Sequence, residues 1–317
     1  MPMRVDASDD VTAPLCLAAD LGGTTTRVAL VRGASVMERR EAPTPAAAGP
    51  DAVVEQLAGL LGPWRSLSDR VCLAATGRVH AGRVSAVNRA TMPGWEAYPL
   101  AAVLSDRIGL AVHVMNDAHA AAWGEYVYGA GRGCRDFVFV TVSTGIGAGL
   151  VIAGRLALGA RGMAGHLGFL PGAGPDATIL EAEASGSGIS RAASRALGEP
   201  LTTRAVFAAA ADGDVLAKSV IEAAVERLAG ALVQLRWLVD PECIAIGGSV
   251  GLAHGYLPRL AATVARLDPS PPLVLVPAAL GGDAGLLGAV AAFAGGAASS
   301  DAALDAQAPP GHAPRGV

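Results

Sequence analysis

Two segments of the chain share one order: an apolar run, a short turn rich in glycine and hydroxyl side chains, and a second apolar run. The first segment comprises residues 15–31, with its turn at 20–27, and the second comprises residues 137–152, with its turn at 143–147. Apolar runs on both sides of a tight glycine turn are typical of β-hairpins. Because the pattern occurs twice, we expect two related halves, each with a β-meander followed by helices.

The rest of the chain alternates between strand and helix patterns. Helical spacing of apolar residues marks 51–64, 100–108, 118–128, 216–238 and 284–293, and short apolar runs indicate strands at 36–40, 71–75, 112–115, 243–246 and 273–276. The alternation predicts an α/β protein with two lobes and a central cleft. We expect a small lobe at 14–117, joined by the C-terminal helix at 284–294, and a large lobe at 118–283. The ends, 1–13 and 295–317, are predicted to be flexible tails.

Charge and composition exclude several classes of protein. The 24 basic and 28 acidic residues give a net charge of −4 without a dense basic run, so we expect no binding to nucleic acid or membrane. The acidic N-terminal segment has no apolar run, which argues against a secretory signal and favours a cytoplasmic location. The cysteines, Cys16, Cys72, Cys134 and Cys243, are far apart in the sequence. This spacing predicts reduced thiols and neither disulfides nor a cysteine-rich metal site.

The first turn is the sharpest candidate for phosphate binding. Glycines let backbone N–H groups approach phosphate oxygens, threonines add hydroxyl donors, and a carboxylate at the strand end can orient water around Mg²⁺. The candidates are Asp20, Gly22, Gly23, Thr24 and Thr25. The alternative is a plain hairpin turn in which these residues serve backbone geometry alone. The turn has neither the Gly-Lys-Ser/Thr ending of a Walker A loop nor a GxGxxG dinucleotide-binding fingerprint.

The second turn offers a similar set of phosphate-binding candidates: Thr144, Gly145, Gly147 and Gly149. Two such turns are more specific than one, because two lobes can then hold one polyphosphate from both sides. Gly248 ends a predicted strand and precedes a predicted helix, where nucleotides commonly bind. A tight turn without a ligand is the alternative at Gly248.

Four polar residues are candidates for catalysis or substrate binding. Asn116 and Asp117 lie between a predicted strand and a predicted helix, where both residue types are favoured as N-caps. A carboxylate at this place can also accept a proton from a substrate hydroxyl, provided that it faces a cleft. His166 lies in a glycine-rich segment after the second hairpin, and Glu181 follows an uncharged stretch. A structural histidine and a solvated carboxylate at a helix start are the alternatives for these two.

Taken as an ordered set, these motifs resemble the ROK family of sugar kinases and repressors, which has the actin-like ATPase (ribonuclease H-like) fold. Residues 20–25 and 141–149 are similar to its two phosphate motifs, residues 116–125 to its catalytic segment and residues 246–249 to its adenosine motif. Residues 162–168 and 180–186 resemble its sugar-contact motifs. The resemblance covers about residues 15–295. Within the family it is greatest to bacterial N-acetylmannosamine kinases, since most glucokinases of the family have Glu at the position of His166.

The resemblance implies ATP-dependent phosphorylation of N-acetylmannosamine, an N-acylhexosamine, at its 6-hydroxyl in sialic acid and amino sugar catabolism. Asp117 would be the base on that hydroxyl. The two glycine turns, with the hydroxyls of Thr24 and Thr144, would hold the phosphates around Mg²⁺, and Asp20 would orient a water of the metal. The implied sugar contacts are Asn116, His166 and Glu181, with Gly77, Arg78 and Asn88 as further candidates. The resemblance also implies a homodimer.

Two departures from the family pattern bear on this expectation. Many members bind a structural zinc through a His three residues after the position of His166 and through a cysteine cluster. Here Phe169 stands in place of that His, and no cysteine occurs between Cys134 and Cys243, so we expect no zinc. The repressors of the family have a helix-turn-helix domain before the first phosphate motif, and the 19 residues before Asp20 argue against one. Glucokinase, fructokinase and N-acetylglucosamine kinase activities, and a non-catalytic sugar sensor, remain open.

Overall fold

The computed structural model describes residues 13–87, 92–172 and 178–294. Within these residues the chain divides into two compact units. The N-terminal unit comprises residues 13–115 and 289–294, and the central unit comprises residues 116–288. Apart from residue 13, the predicted tails lie outside the described residues, and so do Asn88 and residues 173–177.

The sheet of the N-terminal unit begins with the predicted hairpin. The strands are β1 (Leu15–Leu21), β2 (Thr25–Arg32), β3 (Ser35–Pro43), β4 (Arg70–Ala75), β5 (Arg78–His80), β6 (Arg83–Ser85) and β7 (Ala111–Asn116). Five of them form a sheet of order β3-β2-β1-β4-β7, in which β1, β2 and β3 pair antiparallel and β1 pairs with β4 in parallel. A separate antiparallel pair consists of β5 and β6. The first predicted meander is therefore confirmed.

Two helices complete the core of this unit, α1 (Pro50–Leu61) and α2 (Leu100–Ile108). Val53, Val54, Leu57 and Leu61 follow the helical repeat of α1 and are buried with Leu17 of β1. Burial of each large aliphatic side chain contributes about 1.5–3 kcal/mol to folding. The apolar spacing in the sequence thus decides which face of α1 is covered.

The sheet of the central unit repeats this topology. Its strands are β8 (Phe137–Val142), β9 (Ile146–Ile152), β10 (Arg155–Ala157), β11 (Cys243–Gly247) and β12 (Leu275–Pro277). They lie in the order β10-β9-β8-β11-β12, with β8, β9 and β10 antiparallel and β11 parallel to both β8 and β12. Each sheet therefore contains a three-stranded antiparallel meander, as the repeated hairpin pattern predicts.

Eight further α-helices lie among the described residues. They are α3 (Asp117–Tyr128), α4 (Leu180–Ala184), α5 (Gly186–Leu197), α6 (Thr203–Ala211), α7 (Val215–Val239), α8 (Gly248–Gly251), α9 (Tyr256–Leu267) and α10 (Ala284–Ala294). The longest, α7, is capped by Asp214, whose side chain accepts the N–H of Ala217, and it buries Ile221, Leu228 and Leu232. No helix in the described ranges has the length and apolar character needed to cross a membrane.

A buried carboxylate joins two segments of the central unit. Glu125 of α3 has no exposed surface, and its side chain accepts the backbone N–H groups of Ala130, Ala279 and Leu280. Buried carboxylates are tolerated when hydrogen bonds replace their hydration. Glu125 therefore ties the end of α3 to the chain just before α10.

Candidate active site

The junction of β7 and α3 places Asn116 and Asp117 side by side. Asn116 is the N-cap of α3, since its Oδ1 accepts the N–H of His119 at 3.1 Å. Its Nδ2 donates to Oδ1 of Asp117 at 2.9 Å, and the N–H of Ala118 donates to the same oxygen at 2.8 Å. The capping role therefore belongs to Asn116, and Asp117 is the first helical residue with one carboxylate oxygen held by two donors.

A histidine that sequence reasoning passed over supports this junction. His119 is 2% exposed, and its Nε2 lies 2.6 Å from the carbonyl oxygen of Ala164. Because a carbonyl only accepts, Nε2 carries the proton. Burial lowers the pKa of His119 below 6.5, and the nearby His166 lowers it further, whereas the Ala164 carbonyl opposes the shift. Its only signal in the sequence is a single imidazole in an alanine-rich segment after Asn116 and Asp117.

His166 lies close to His119 in space. It directly precedes the 3₁₀ helix Leu167–Phe169, and its ring centroid lies 6.0 Å from that of His119 and 6.2 Å from that of Phe169. The segment that carries His166 is anchored to α3 through the bond between His119 and Ala164. The structure thus places His166 and the Asn116–Asp117 pair on elements that are hydrogen-bonded to each other.

The second glycine turn joins β8 to β9 and is held by its neighbours. Ser143 donates its N–H to the carbonyl of Gly145 at 2.9 Å. The first residues of α5 donate to the turn, from Gly186 to the Ser143 carbonyl at 2.7 Å and from Ser187 to the Thr144 carbonyl at 3.3 Å. Thr144 itself is exposed. The turn is therefore fixed from the α5 side and presents the Thr144 side chain outward.

Two of the predicted phosphate-binding glycines lie against α3. A Cβ added at Gly147 would lie 3.0 Å from the Cβ of Ala118, and one added at Gly149 would overlap with the Cβ of Ala122. Both residues belong to β9, so the strand begins within the predicted turn. Close packing of α3 on β9 is thus sufficient reason for glycine at these two positions.

Glu181 lies in the first turn of α4 and reaches the same glycine turn. Its Oε2 accepts the N–H of Ile146 at 2.9 Å. The alternative of a freely solvated carboxylate is therefore wrong for this oxygen.

Gly248 lies beside the glycine turn as well. Its φ of +84° and the closeness of the Val142 carbonyl leave no room for a side chain. The hydroxyl oxygen of Ser249 lies 3.1 Å from that of Ser143. The chain after β11 is thus joined to the turn between β8 and β9.

The first glycine turn belongs to the N-terminal unit. Gly22 donates to the carbonyl of Thr25 at 3.1 Å, and Thr44 binds the carbonyls of Gly22 and Thr24 at 2.8 and 2.9 Å. A Cβ at Gly23 would meet nothing within 4 Å, and Thr24 is exposed. The backbone at Gly23 is therefore open to a ligand.

Asp20 lies at the end of β1, near this turn. Burial raises the pKa of Asp20 above its ordinary value, and the Arg27 guanidinium, 3.4 Å away, partly offsets the shift. A raised pKa means that the folded protein disfavours the ionised form.

Two further predicted sugar contacts lie elsewhere in the N-terminal unit. Gly77 has a φ of +99°, and a Cβ there would lie 2.6 Å from the carbonyl oxygen of Ser85. Arg78 donates to the Ser85 hydroxyl at 3.4 Å. The third, Asn88, lies outside the described residues. In the part of the chain that the structure describes, no three His, Cys, Asp or Glu side chains are grouped to hold a metal ion.

Comparison with known families assigns the class. Residues 16–295 match the ROK family, so the chain belongs to it. A ROK hexokinase from Thermus thermophilus is 32% identical, with a TM-score of 0.75 over 87% of this chain and 96% of that one. A ROK glucokinase from Streptomyces griseus, solved with glucose and AMPPNP, is 26% identical with a TM-score of 0.73 and covers 87% of this chain and 97% of its own. The predicted α/β fold of the actin-like ATPase type is confirmed.

Two sequence relatives match most of this chain. The bifunctional enzyme NanE/NanK of Brucella melitensis is 44% identical over 285 residues, which cover 90% of this chain. The chain spans 54% of that protein's length. The N-acetylmannosamine kinase of Citrobacter koseri is 40% identical over 282 residues, or 86% of this chain and 96% of that protein.

Proposed function

We propose that this protein transfers the γ-phosphoryl group of ATP to the 6-hydroxyl of N-acetylmannosamine, giving the 6-phosphate and ADP. The observation that carries the proposal is the arrangement at Asp117. Asn116 and Ala118 both donate to one carboxylate oxygen and so hold the group in one orientation, and a carboxylate held in this way can act as the base on a substrate hydroxyl. The similarity to the Citrobacter koseri kinase over 96% of its length supports the choice of sugar.

In this proposal Asp117 mainly aligns the attacking hydroxyl. Phosphoryl transfer passes through a loose transition state, so the nucleophile needs little activation before the bond to the leaving group weakens. Fixing the hydroxyl in line with the γ-phosphorus removes much of the entropy cost of the encounter. The proton moves from the 6-hydroxyl to Asp117 as the new P–O bond forms.

The phosphate contacts are assigned to the two glycine turns. Each turn by itself has groups that suit an anionic ligand: open backbone at Gly23 and the exposed Thr24 hydroxyl in the first turn, and the exposed Thr144 hydroxyl in the second. Further proposed contacts come from Gly22, Thr25, Gly145, Gly147, Gly149 and Gly248. Mg²⁺ prefers oxygen ligands and water, and the Asp20 carboxylate suits a water of that shell. When bound, Mg²⁺ neutralises charge that develops on the phosphate oxygens.

The sugar contacts are assigned to the residues around α3 and α4. His166 and Glu181 would bind ring hydroxyls, and Gly77, Arg78 and Asn88 are kept as further candidates. Asn116 already bonds within the protein through both ends of its amide, so its first task is to hold Asp117.

The test is a kinase assay that follows ADP release with N-acetylmannosamine, N-acetylglucosamine, glucose and fructose. We expect the highest kcat/KM with N-acetylmannosamine and loss of turnover in the Asp117→Asn control. A higher kcat/KM with glucose or N-acetylglucosamine would assign the protein to one of those activities. ADP release from none of the four sugars, with sugar binding retained, would indicate a sensor.

We further propose that the protein is a homodimer in the cytoplasm, where ATP is available, without a nucleic-acid partner and without bound zinc. Light scattering coupled to size-exclusion chromatography measures the oligomeric state. A monomer mass would contradict the first part.

A further inference from the structure

The side chain of Glu181 packs closely against two glycines, Gly145 and Gly168. A Cβ at Gly145 would lie 2.5 Å from Oε2 of Glu181, and one at Gly168 would lie 3.2 Å from its Cβ. Any side chain at Gly145 would therefore push the carboxylate away. Glu181 is thus held directly against the turn between β8 and β9, although it lies 35 residues beyond Ile146 in the sequence.

Among the residues that the structure describes, Glu181 is the one carboxylate that hydrogen-bonds to this turn, and it does so by accepting the N–H of Ile146. Ile146 is only 4% exposed, so water has little access to replace this acceptor. A buried N–H left without an acceptor carries the full desolvation penalty of that group. The carbonyls of Ser143 and Thr144 are already bound by the start of α5. The conformation of the turn therefore depends on Glu181 at its β9 end and on α5 at its β8 end.

The other carboxylate oxygen has a different role. Among the described residues, the only hydrogen bond of the Glu181 side chain is the one that its Oε2 accepts from Ile146. A carboxylate has acceptor capacity on both oxygens. Oε1 can therefore accept a sugar hydroxyl while Oε2 holds the phosphate-binding turn.

We propose that Glu181 is a positioning residue for nucleotide binding, and that one carboxylate links the sugar to the turn that contacts the phosphates. The inference rests on the proposed function for the identity of the two ligands. If Glu181 only bound the sugar, its substitution would change the KM for the sugar and would not change the affinity for the nucleotide. A positioning carboxylate changes nucleotide affinity in the absence of sugar.

The experiment compares Glu181→Ala and Glu181→Gln with the wild-type protein and with Glu183→Ala. Glu183 lies on the same helix and pairs with Thr178 and Arg227, away from the turn, so it is the matched control. Two readouts use no sugar: deuterium exchange of residues 143–149 in the ligand-free protein, and the Kd for Mg²⁺ with AMPPNP by calorimetry. The third readout is the KM for N-acetylmannosamine.

We expect Glu181→Ala to speed exchange at Ile146 and to weaken AMPPNP binding by about tenfold, a change of about 1.4 kcal/mol. Glu181→Gln keeps an acceptor for Ile146, so its exchange and Kd stay within about threefold of wild type, while its sugar KM rises. Glu183→Ala changes none of the three. The inference would be overturned if Glu181→Ala had the same exchange rate at Ile146 and the same Kd for AMPPNP as the wild type. It would also be overturned if Glu181→Gln had the same Kd for AMPPNP as Glu181→Ala.

Gly145→Ala gives an independent test if Glu181→Ala does not fold. Its added Cβ displaces an intact Glu181 carboxylate, so faster exchange at Ile146 is again expected. Unchanged exchange at Ile146 in Gly145→Ala would count against the inference. The exchange measurement contains no ligand. If the sugar kinase assay fails, the proposed function is contradicted, but the measured exchange at Ile146 still tests the role of Glu181.

Discussion

The imidazole rings of His119 and His166 lie edge to face with their centroids 6.0 Å apart. One ring is buried and hydrogen-bonded to the Ala164 carbonyl, while the other belongs to the segment proposed to contact the sugar. Burial lowers the pKa of His119, and the neighbouring His166 lowers it further. The two rings therefore have separable effects on stability and on specificity.

His119 should make folding stability depend on pH in the acidic range. Its pKa in the folded protein is below the ordinary value of 6.5, so the unfolded chain binds more protons as the pH falls below 6.5. Stability is therefore complete above 6.5 and is lost as the pH falls through the folded-state pKa. The loss is at most about 1.4 kcal/mol per pH unit for one proton.

His119→Gln retains a donor for Ala164 and does not titrate there. Urea unfolding of both proteins at pH 7.5, 6.5, 5.5 and 5.0 isolates the contribution of His119. We expect the wild type to lose more stability than the variant between pH 6.5 and 5.0. Parallel pH profiles would show that His119 is not the group responsible.

His166→Glu should shift the sugar preference towards glucose. A carboxylate accepts two hydroxyl protons, whereas a neutral imidazole offers one donor and one acceptor. An unpaired buried polar group costs about 1–3 kcal/mol, so the ratio of kcat/KM for N-acetylmannosamine to that for glucose should fall by roughly tenfold or more. If kcat/KM falls equally for N-acetylmannosamine and glucose, so that their ratio stays constant, His166 supports its loop and does not determine which sugar binds.

Asp117→Asn should retain the fold and lose activity. The cap of α3 is Asn116, so the helix end is unaffected, while the base that contributes about 10²–10⁴-fold is removed. A variant that keeps more than about a tenth of kcat would contradict the role of Asp117. Asn116→Asp is the complementary change, since Asp still caps the helix but cannot donate to Asp117. Its kcat should fall with little change in Tm.

Gly23→Ala and Gly149→Ala should have opposite consequences. At Gly23 nothing lies within 4 Å of an added Cβ, so Tm should stay nearly constant while the KM for ATP rises severalfold. At Gly149 the added Cβ overlaps with Ala122, and overpacking of this kind costs about 1–3 kcal/mol. Differential scanning fluorimetry and ATP titrations measure both effects. A wild-type KM for ATP in Gly23→Ala would remove Gly23 from the phosphate site.

The purified protein should contain no stoichiometric zinc. Phe169 occupies the place of a zinc-binding histidine of the family, and the sequence has no cysteine between Cys134 and Cys243. Elemental analysis after dialysis should give far less than one zinc per chain, and a chelator should leave Tm unchanged because no metal is coupled to folding. One zinc per chain would overturn this expectation.

Elements with a repeated apolar pattern could be predicted closely from the sequence. The bounds of α2 and β8 are those expected, and α7 extends the predicted 216–238 by one residue at each end. By contrast, α5, α6 and α9 were not predicted. α5 begins with Gly-Ser-Gly, which is a poor start for a helix, and α6 contains a run of alanines that marks neither face clearly. They are helical because the core of the central unit buries one side of each.

The residue types at the candidate site were predictable, but their partners were not. Asn116 and Asp117 stand out in the sequence because polar residues between a strand and a helix either cap the helix N-terminus or take part in catalysis. Nothing local to Glu181 indicates that it accepts a hydrogen bond from Ile146, because that contact exists only once α4 packs beside β9. The same holds for Gly149, whose pattern suggests a phosphate loop while its neighbours are Ala118 and Ala122.

The buried Glu125 has a consequence for how loss of function is interpreted in this protein. Three backbone amides from two distant segments converge on this buried carboxylate, so replacing it removes the acceptor that joins the two segments. A mutational screen scored by growth on the sugar would rank Glu125 with Asp117, although Glu125 meets no reactant. The amount of soluble protein in the cell separates the two, because only the Glu125 variant is removed by quality control.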